Sequence, residues 1–155
     1  MTSARESIAV SVNLLSQMFL YLDSLKVDID TFLRSAKVDS ATVKSFDAYI
    51  PIETYLLIQD EAAKYTNDPY FGLHMGEYAE VGSWSILGYM MMNCKNLGDA
   101  FEKTERYSRI IGNFIQARAE PRQDKINIVF STLPQMLKMS RHCFDASISS
   151  GVRFA

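Results

Sequence analysis

After Gly112 the apolar residues of this chain change their spacing, and that change excludes both an all-helical and an all-β fold. Before it, apolar positions recur at steps of three and four, the spacing that lines up one face of a helix. Beyond it, Ile115, Ala117 and Ala119, and then Ile126, Ile128 and Phe130, alternate with polar neighbours. With "EPRQDK" between them, the two alternating runs predict one β-hairpin. Thr132, Pro134 and Gln135 next form a T-x-x-Q capping box that starts a last helix, with Met136, Met139 or Ser140, Cys143, Ser147, Gly151 and Phe154 drifting along one side. The predicted fold class is α+β and mostly α: a helical domain with one antiparallel β-hairpin, a small sheet, before a C-terminal helix. Its 155 residues suffice for a single domain, 1–155, that buries about two-thirds of its unfolded surface.

The helices ahead of Gly112 announce themselves by face and by cap. Ile8, Val12, Leu15, Phe19, Leu22 and Leu25 predict helix one. Asp28 caps a short helix from Ile29 to about Ala36, because its carboxylate accepts amide protons left free at a helix start. Asp39 or Ser40 caps a third. Pro51 suits the first turn of the next helix, which runs to about Tyr65 with Ile52, Tyr55, Leu56, Gln59 and Ala63 on one face. In "NDPYFGLHMGE", Asp68 is the expected cap and Pro69 the first helical residue; Gly72 and Gly76, four apart, leave a bare strip where another backbone can approach. Trp84 to Met92 is apolar at nearly every position, so this helix is expected to be buried all round. Asn96 caps the next, with Asp99 in a capping-box-like place and Leu97, Ala100, Phe101, Thr104, Tyr107 and Ile111 facing inward.

A net charge of −2, with no cluster of Lys or Arg, supplies no basic stripe for gripping duplex DNA. Cys94 and Cys143 lack metal-motif spacing and no glycosylation sequon occurs, so a reducing cytoplasm is the expected setting. The first apolar stretch is interrupted by Asn13, Ser16, Gln17 and Asp23, which makes it too polar for a signal peptide or a membrane span. Eight Tyr, nine Phe and eight Met exceed what a minimal core needs and leave room for a ligand cavity.

Chemistry-bearing motifs are scarce. Met90, Met91, Met92, Cys94 and His74 would suit a soft metal ion, but successive helical residues point about 100° apart, and only Met90 and Cys94 share a face. No nucleophile elbow, phosphate loop, dinucleotide fingerprint, zinc-protease motif or calcium loop is present, and His74 and His142 are the only histidines, so no enzyme and no cofactor are expected. The "YMMMNC" run reads either as core or as one wall of a cavity. In the second reading Trp84, Tyr89, Met92 and Tyr107 contact a ligand through apolar area with a polar handle, and Arg109 pairs with a ligand carboxylate.

"DPYFGLHMGE" followed by "GSWSILGYMMMNCKNLGDAFEKTERYSRIIG" resembles the N-terminal effector domain of one branch of the AraC/XylS transcription regulators, the branch labelled arabinose-binding. The resemblance rests on D-P-x-x-G-L-x-x-G at Asp68, Pro69, Gly72, Leu73 and Gly76, on Gly82, on L-G-Y at Leu87, Gly88 and Tyr89, and on Leu97, Ala100 and Tyr107. It extends more loosely over nearly the whole chain. What it implies is a domain that senses a small molecule and forms homodimers, while a separate C-terminal pair of helix-turn-helix motifs, absent from this chain, binds DNA. A final helix without a Gly or Pro stop points the same way, to a piece of a longer bacterial regulator. A pyranose site needs paired amides and carboxylates, whereas this central helix offers Trp, Tyr and Met, so a partly apolar effector is expected. Alternatives are a dimerisation module without a cavity and a soft-metal or redox sensor using Cys94 and Met90.

Overall fold

The computed structural model describes residues 8–45, 48–112, 114–132 and 139–154. Among them, eight α-helices and two two-stranded antiparallel sheets follow one another in the order β1, α1, α2, α3, β2, α4, α5, α6, α7, β3, β4, α8. The predicted mostly helical α+β class holds, with one sheet more than the hairpin alone.

That extra sheet corrects the reading of helix one. Ala9–Ser11 is a strand, β1, paired with Tyr49–Pro51, β2, in the register Ala9↔Pro51, Val10↔Ile50 and Ser11↔Tyr49. A 3-10 turn, Val12–Leu15, leads into α1, Ser16–Ser24. Ile8 and Val12, four apart, suit a helix face, but with Val10 between them they also fit a period of two, and β-branched side chains favour the extended choice once a partner strand is available. β1 has more than one partner: its Ser11 amide donates to the Ile111 carbonyl at 2.9 Å, and the Ile52 amide donates to the Ile8 carbonyl at 2.8 Å. Gly112 follows at φ +126° with Val10 close against it, a conformation that a side chain would strain.

The capped helices arise as their sequences dictate. Asp28 accepts from the Thr31 amide ahead of α2, Ile29–Ser35, and Asp39 from the Ala41 and Thr42 amides ahead of α3, Ser40–Val43. Both carboxyls are held below the usual range, by the hydrogen bonds from Thr31 and Thr42 first of all. α4 spans Ile52–Thr66 and ends on Asn67 in the left-handed region, so Pro51 closes β2 and precedes the first turn. Asn96 accepts from the Asp99 amide and starts α7, Leu97–Tyr107. Ala100, Phe101 and Thr104 are buried there, but Leu97 and Tyr107, at the two ends, are exposed.

Asp68 does less as a cap than its sequence position promises, and more as a tie. α5 begins at Phe71, two residues later than expected. One Asp68 oxygen accepts from the Tyr70 amide; the other accepts from the Tyr21 hydroxyl at 2.8 Å and lies 2.8 Å from His74 Nδ1. Burial works to raise the Asp68 carboxyl, but the hydrogen bonds from His74, Tyr21 and the Tyr70 amide outweigh it and hold the group below the usual value. Burial first of all, and then the same contact with Asp68, push the Tyr21 phenol far upward. α1 and α5 are thereby joined through three side chains.

α5, Phe71–Glu77, carries the bare strip, and α8, Arg141–Phe154, lies on it. A Cβ on Gly72 would meet the His142 backbone, 2.6 Å from its Cα, and one on Gly76 would stand 2.8 Å from the Ala146 carbonyl oxygen. The Ser149 hydroxyl donates to the Leu73 carbonyl at 2.8 Å, and the Gly72 amide donates to His142 Nδ1 at 3.3 Å. Thr132, expected to open this last helix, is instead the end of β4; Pro134, Gln135 and Met136 lie outside the described residues.

β3, Ile115–Arg122, and β4, Lys125–Thr132, continue pairing through Arg122↔Lys125, so the turn contracts from "EPRQDK" to Gln123 and Asp124. Pro121 is tolerated because both strands of this sheet are edges. α6, Ser85–Met92, departs furthest from expectation: only Leu87 and Gly88 are buried, while Ile86, Tyr89 and Met92 are 60%, 58% and 62% exposed. Composition made it apolar all round, but among the described residues its main neighbours are the 3-10 turn Val81–Trp84, α7 and the turn Ser108–Ile110, which leave one side open.

Two outcomes follow from this packing. Gly72→Ala should destabilise the protein by about 1–3 kcal/mol through forced displacement of α8, whereas Gly82→Ala, whose Cβ would have its nearest neighbour at 3.8 Å, should be nearly silent in thermal melts. Because the Asp68 carboxyl is lowered on folding, its contribution is complete above the unfolded-state pKa and disappears as pH falls through the lowered value. Asp68→Asn should therefore cost about 1–3 kcal/mol near neutrality, with the gap to wild type in urea unfolding closing below about pH 3.9.

Candidate ligand cavity

Five separated stretches of the chain converge on one cavity of about 60 Å³. Leu14 and Gln17 reach it from the first 3-10 turn and α1, and Tyr55 from α4. The end of α7 and the 3-10 turn after it supply Thr104 and Ser108; Ile111, Gly112 and Phe114 continue the wall into the hairpin, which adds Ile115, Ala117 and Phe130. α8 closes the far side with Ala146, Ser147 and Ser150, and Trp84 stands at the base of α6.

Why this space stays unfilled is a matter of side-chain size. α8 presents Ala and Ser where a Leu would otherwise fill the gap, and its backbone is fixed at that distance by the glycine strip of α5. The short side chains also set the polarity. Thr104 Oγ1 donates to the Ala100 carbonyl at 2.8 Å, Ser108 Oγ to Glu105 at 3.3 Å and Ser147 Oγ to Cys143 at 2.9 Å, all within their own helical segments. The fully buried Ser150 donates to Gln17 Oε1 at 3.2 Å. Each hydroxyl proton is thus committed to the protein, and the oxygen lone pairs remain to accept. Burial drives the Tyr55 phenol well above its ordinary value, so it keeps its proton. One turn on, Gln59 is fully buried beside it without a hydrogen bond of good geometry at either end of its carboxamide.

The five residues singled out in the sequence do not converge. Trp84 lines the cavity, half-buried, with its ring edge-on to Phe154 at 5.7 Å. Tyr89 and Met92 occupy the exposed side of α6; Tyr107 is exposed with the Arg106 guanidinium over its ring at 5.4 Å, and Arg109 is exposed in the turn Ser108–Ile110. What the sequence reading passed over is the set of polar residues inside apolar faces. Gln17 lies among the apolar residues of helix one, Thr104 and Ser108 are a turn apart, and "DASISSG" sets small hydroxyls on the last helix. Polar groups at positions of core periodicity were the available signal.

A second depression, lined by Asp60, Lys64, Asn67, Asp68 and His142, is a broad groove open to solvent, and both of its carboxylates have partners: Ser140 on Asp60, and Tyr21 with His74 on Asp68. Cys94 donates its thiol proton to the Met90 carbonyl and accepts from Lys103 Nζ at 3.5 Å. Cys143 is buried, which pushes its thiol strongly upward and leaves it inert. Among the described residues no group of three or more His, Cys, Asp or Glu is placed to hold a metal ion, and no helix is long and apolar enough to cross a membrane.

Comparison with known families settles what kind of domain surrounds this cavity. The family described as the arabinose-binding domain of AraC transcription regulators, N-terminal, matches residues 27–155. The chain belongs to that family. It is a family of regulatory ligand-binding domains, and its matched span takes in α2 through α8, all of the cavity wall except Leu14 and Gln17. No curated protein matches the chain.

The Ser150–Gln17 contact yields a direct check on the wall. Ser150→Ala would leave the buried Gln17 carbonyl oxygen without its donor, and should cost about 1–3 kcal/mol in chemical unfolding. Ser147→Ala removes only a bond to the helix's own backbone and should cost less than half as much.

Proposed function

We propose that residues 1–155 act as one regulatory unit that binds a small-molecule effector in this cavity and so alters DNA binding by a helix-turn-helix domain attached to it in the full-length regulator. The observation that carries this reading is that α8 is both a wall of the cavity and a helix locked by close backbone contact onto α5. A guest that displaces Ala146, Ser147 or Ser150 must move the helix rather than bend a side chain. At about 60 Å³ the cavity is smaller than the ~150 Å³ that holds a benzene ring in an engineered protein core. An effector of any useful size therefore prefers a second arrangement of the walls, and that difference in affinity shifts the populations of the two states. Of the residues named from the sequence, Trp84 is the one placed against the effector; Tyr89, Met92, Tyr107 and Arg109 are left to the surface.

Regulation rather than catalysis fits a cavity whose one titratable side chain among the described residues is a protonated phenol. The proposed setting is the cytoplasm and the proposed assembly a homodimer. Ile148 and Val152, 46% and 73% exposed on the outer side of α8, favour a companion reading in which that helix also pairs with its twin.

The test is thermal melting across sugars, amino acids, aromatic acids and fatty acids, with emission from Trp84, the single tryptophan, and mass in solution recorded together. A compound present at a hundred times its dissociation constant should add about 2.7 kcal/mol, a rise of several degrees at this size, with a change in emission. No shift with any compound, beside a dimeric mass, would leave assembly as the function.

A further inference from the structure

The proposed effector site carries its own statement of what can occupy it. Among the described residues that line it there is no Lys, Arg, Asp, Glu or His. We infer, resting on the reading that this cavity is the effector site, that the effector is an uncharged, mainly apolar molecule with one or two hydroxyl, amide or ring N–H groups, and that free sugars and ionised metabolites are excluded.

Three observations support this. A buried carboxylate, phosphate or ammonium without a counter-charge loses its hydration and gains nothing of comparable strength in return. The described residues of the wall supply no such counter-charge. Burial keeps the Tyr55 phenol neutral, so it offers a single proton and no negative charge. Arg109, the cation that could have paired with a ligand carboxylate, is exposed on the turn and absent from the lining.

A free pentose fails for a different reason. Each of its hydroxyls is both donor and acceptor, and most need partners of both kinds when water is removed. Thr104, Ser108, Ser147 and Ser150 have already given their protons to protein acceptors, so these four can only accept. For donors the described side chains of the wall leave the Tyr55 hydroxyl, the Gln17 amide and the Trp84 ring N–H. Against them stand Leu14, Ile111, Phe114, Ile115 and Phe130, which would strip water from the remaining sugar hydroxyls without replacing it. The same arrangement suits a guest with a hydrocarbon body and one donor: the body meets the aliphatic and aromatic wall, and the donor meets a hydroxyl oxygen whose lone pairs are free.

The experiment compares molecules that share a hydrocarbon body and carry a neutral, an anionic or a cationic head group. Benzyl alcohol, benzoate and benzylamine form one series, 1-octanol, octanoate and octylamine a second, and L-arabinose stands by itself. Each is titrated into the wild-type chain and into two variants that fill the cavity, Ala146→Phe and Ala117→Leu, with Trp84 emission and the melting midpoint as readouts. The far-ultraviolet circular dichroism of each variant shows that it is folded, and the milder Ala117→Leu keeps the test valid should Ala146→Phe fail to fold. The expected result is that at least one alcohol changes Trp84 emission and raises the midpoint, that its charged partners bind at least about a hundredfold more weakly, and that the response is lost in the filled variants. Benzoate, octanoate, an amine or arabinose binding as tightly as the alcohols, with the response lost on filling, would overturn the inference about class while the cavity stood as the site. Silence of Trp84 toward both alcohols would overturn it as well. A response that persisted in both filled variants would place binding elsewhere and bring down the underlying reading together with the inference.

Discussion

The contact on which the rest of the molecule depends is the approach of α8 to the bare face of α5. Backbone lies against backbone at Gly72 and Gly76, which no other residue type allows. The close approach lets the Ser149 hydroxyl reach the Leu73 carbonyl and His142 reach the Gly72 amide, so the interface is fixed by direction as well as by dispersion. It also determines where α8 can present its other side. Cys143 and Ala146 are pressed into the core, and Ser147 and Ser150 border an opening they are too short to fill.

Much of this could be read from the residues because the determinants are local. Asp28, Asp39 and Asn96 cap the helices they precede, since an N-cap acts over three residues and competes with nothing distant. The hairpin strands follow their period of two, and the four-residue glycine spacing on α5 does mark a close approach. Misreadings occurred where a distant partner decided the outcome. Ile8 to Val12 satisfied both periodicities, and strand pairing with Tyr49–Pro51 chose between them. Asp68 was drawn from capping by Tyr21 and His74, residues of which one is 47 positions away. The methionine helix has a composition fit for burial, but hydropathy cannot say how many neighbours arrive to cover it.

The candidate site was the least visible part for the same reason. Its wall is assembled from Gln17, Tyr55, Thr104, Ile111, Phe130 and Ser150, none of which forms a motif with the next. Trp84, Tyr89, Met92, Tyr107 and Arg109 are residue types that commonly bind ligands, but of the five Trp84 alone borders the space. Belonging to the arabinose-binding family of AraC regulators identifies the domain as ligand-sensing, and the polarity of the wall comes from the side chains themselves.

The small sheet at the start of the chain has a kinetic meaning. β1 holds together three stretches of sequence, around residues 8–12, 48–52 and 111–112, and the wall bond from Ser150 to Gln17 spans 133 positions. Closing such loops comes late in folding, because the entropy of each must be overcome before its contacts contribute. Individual helices of this chain can form early and locally, yet none of them alone contains a binding surface. The cavity comes into being only with the last long-range closures, so a chain caught part-way through synthesis or refolding lacks the proposed effector site.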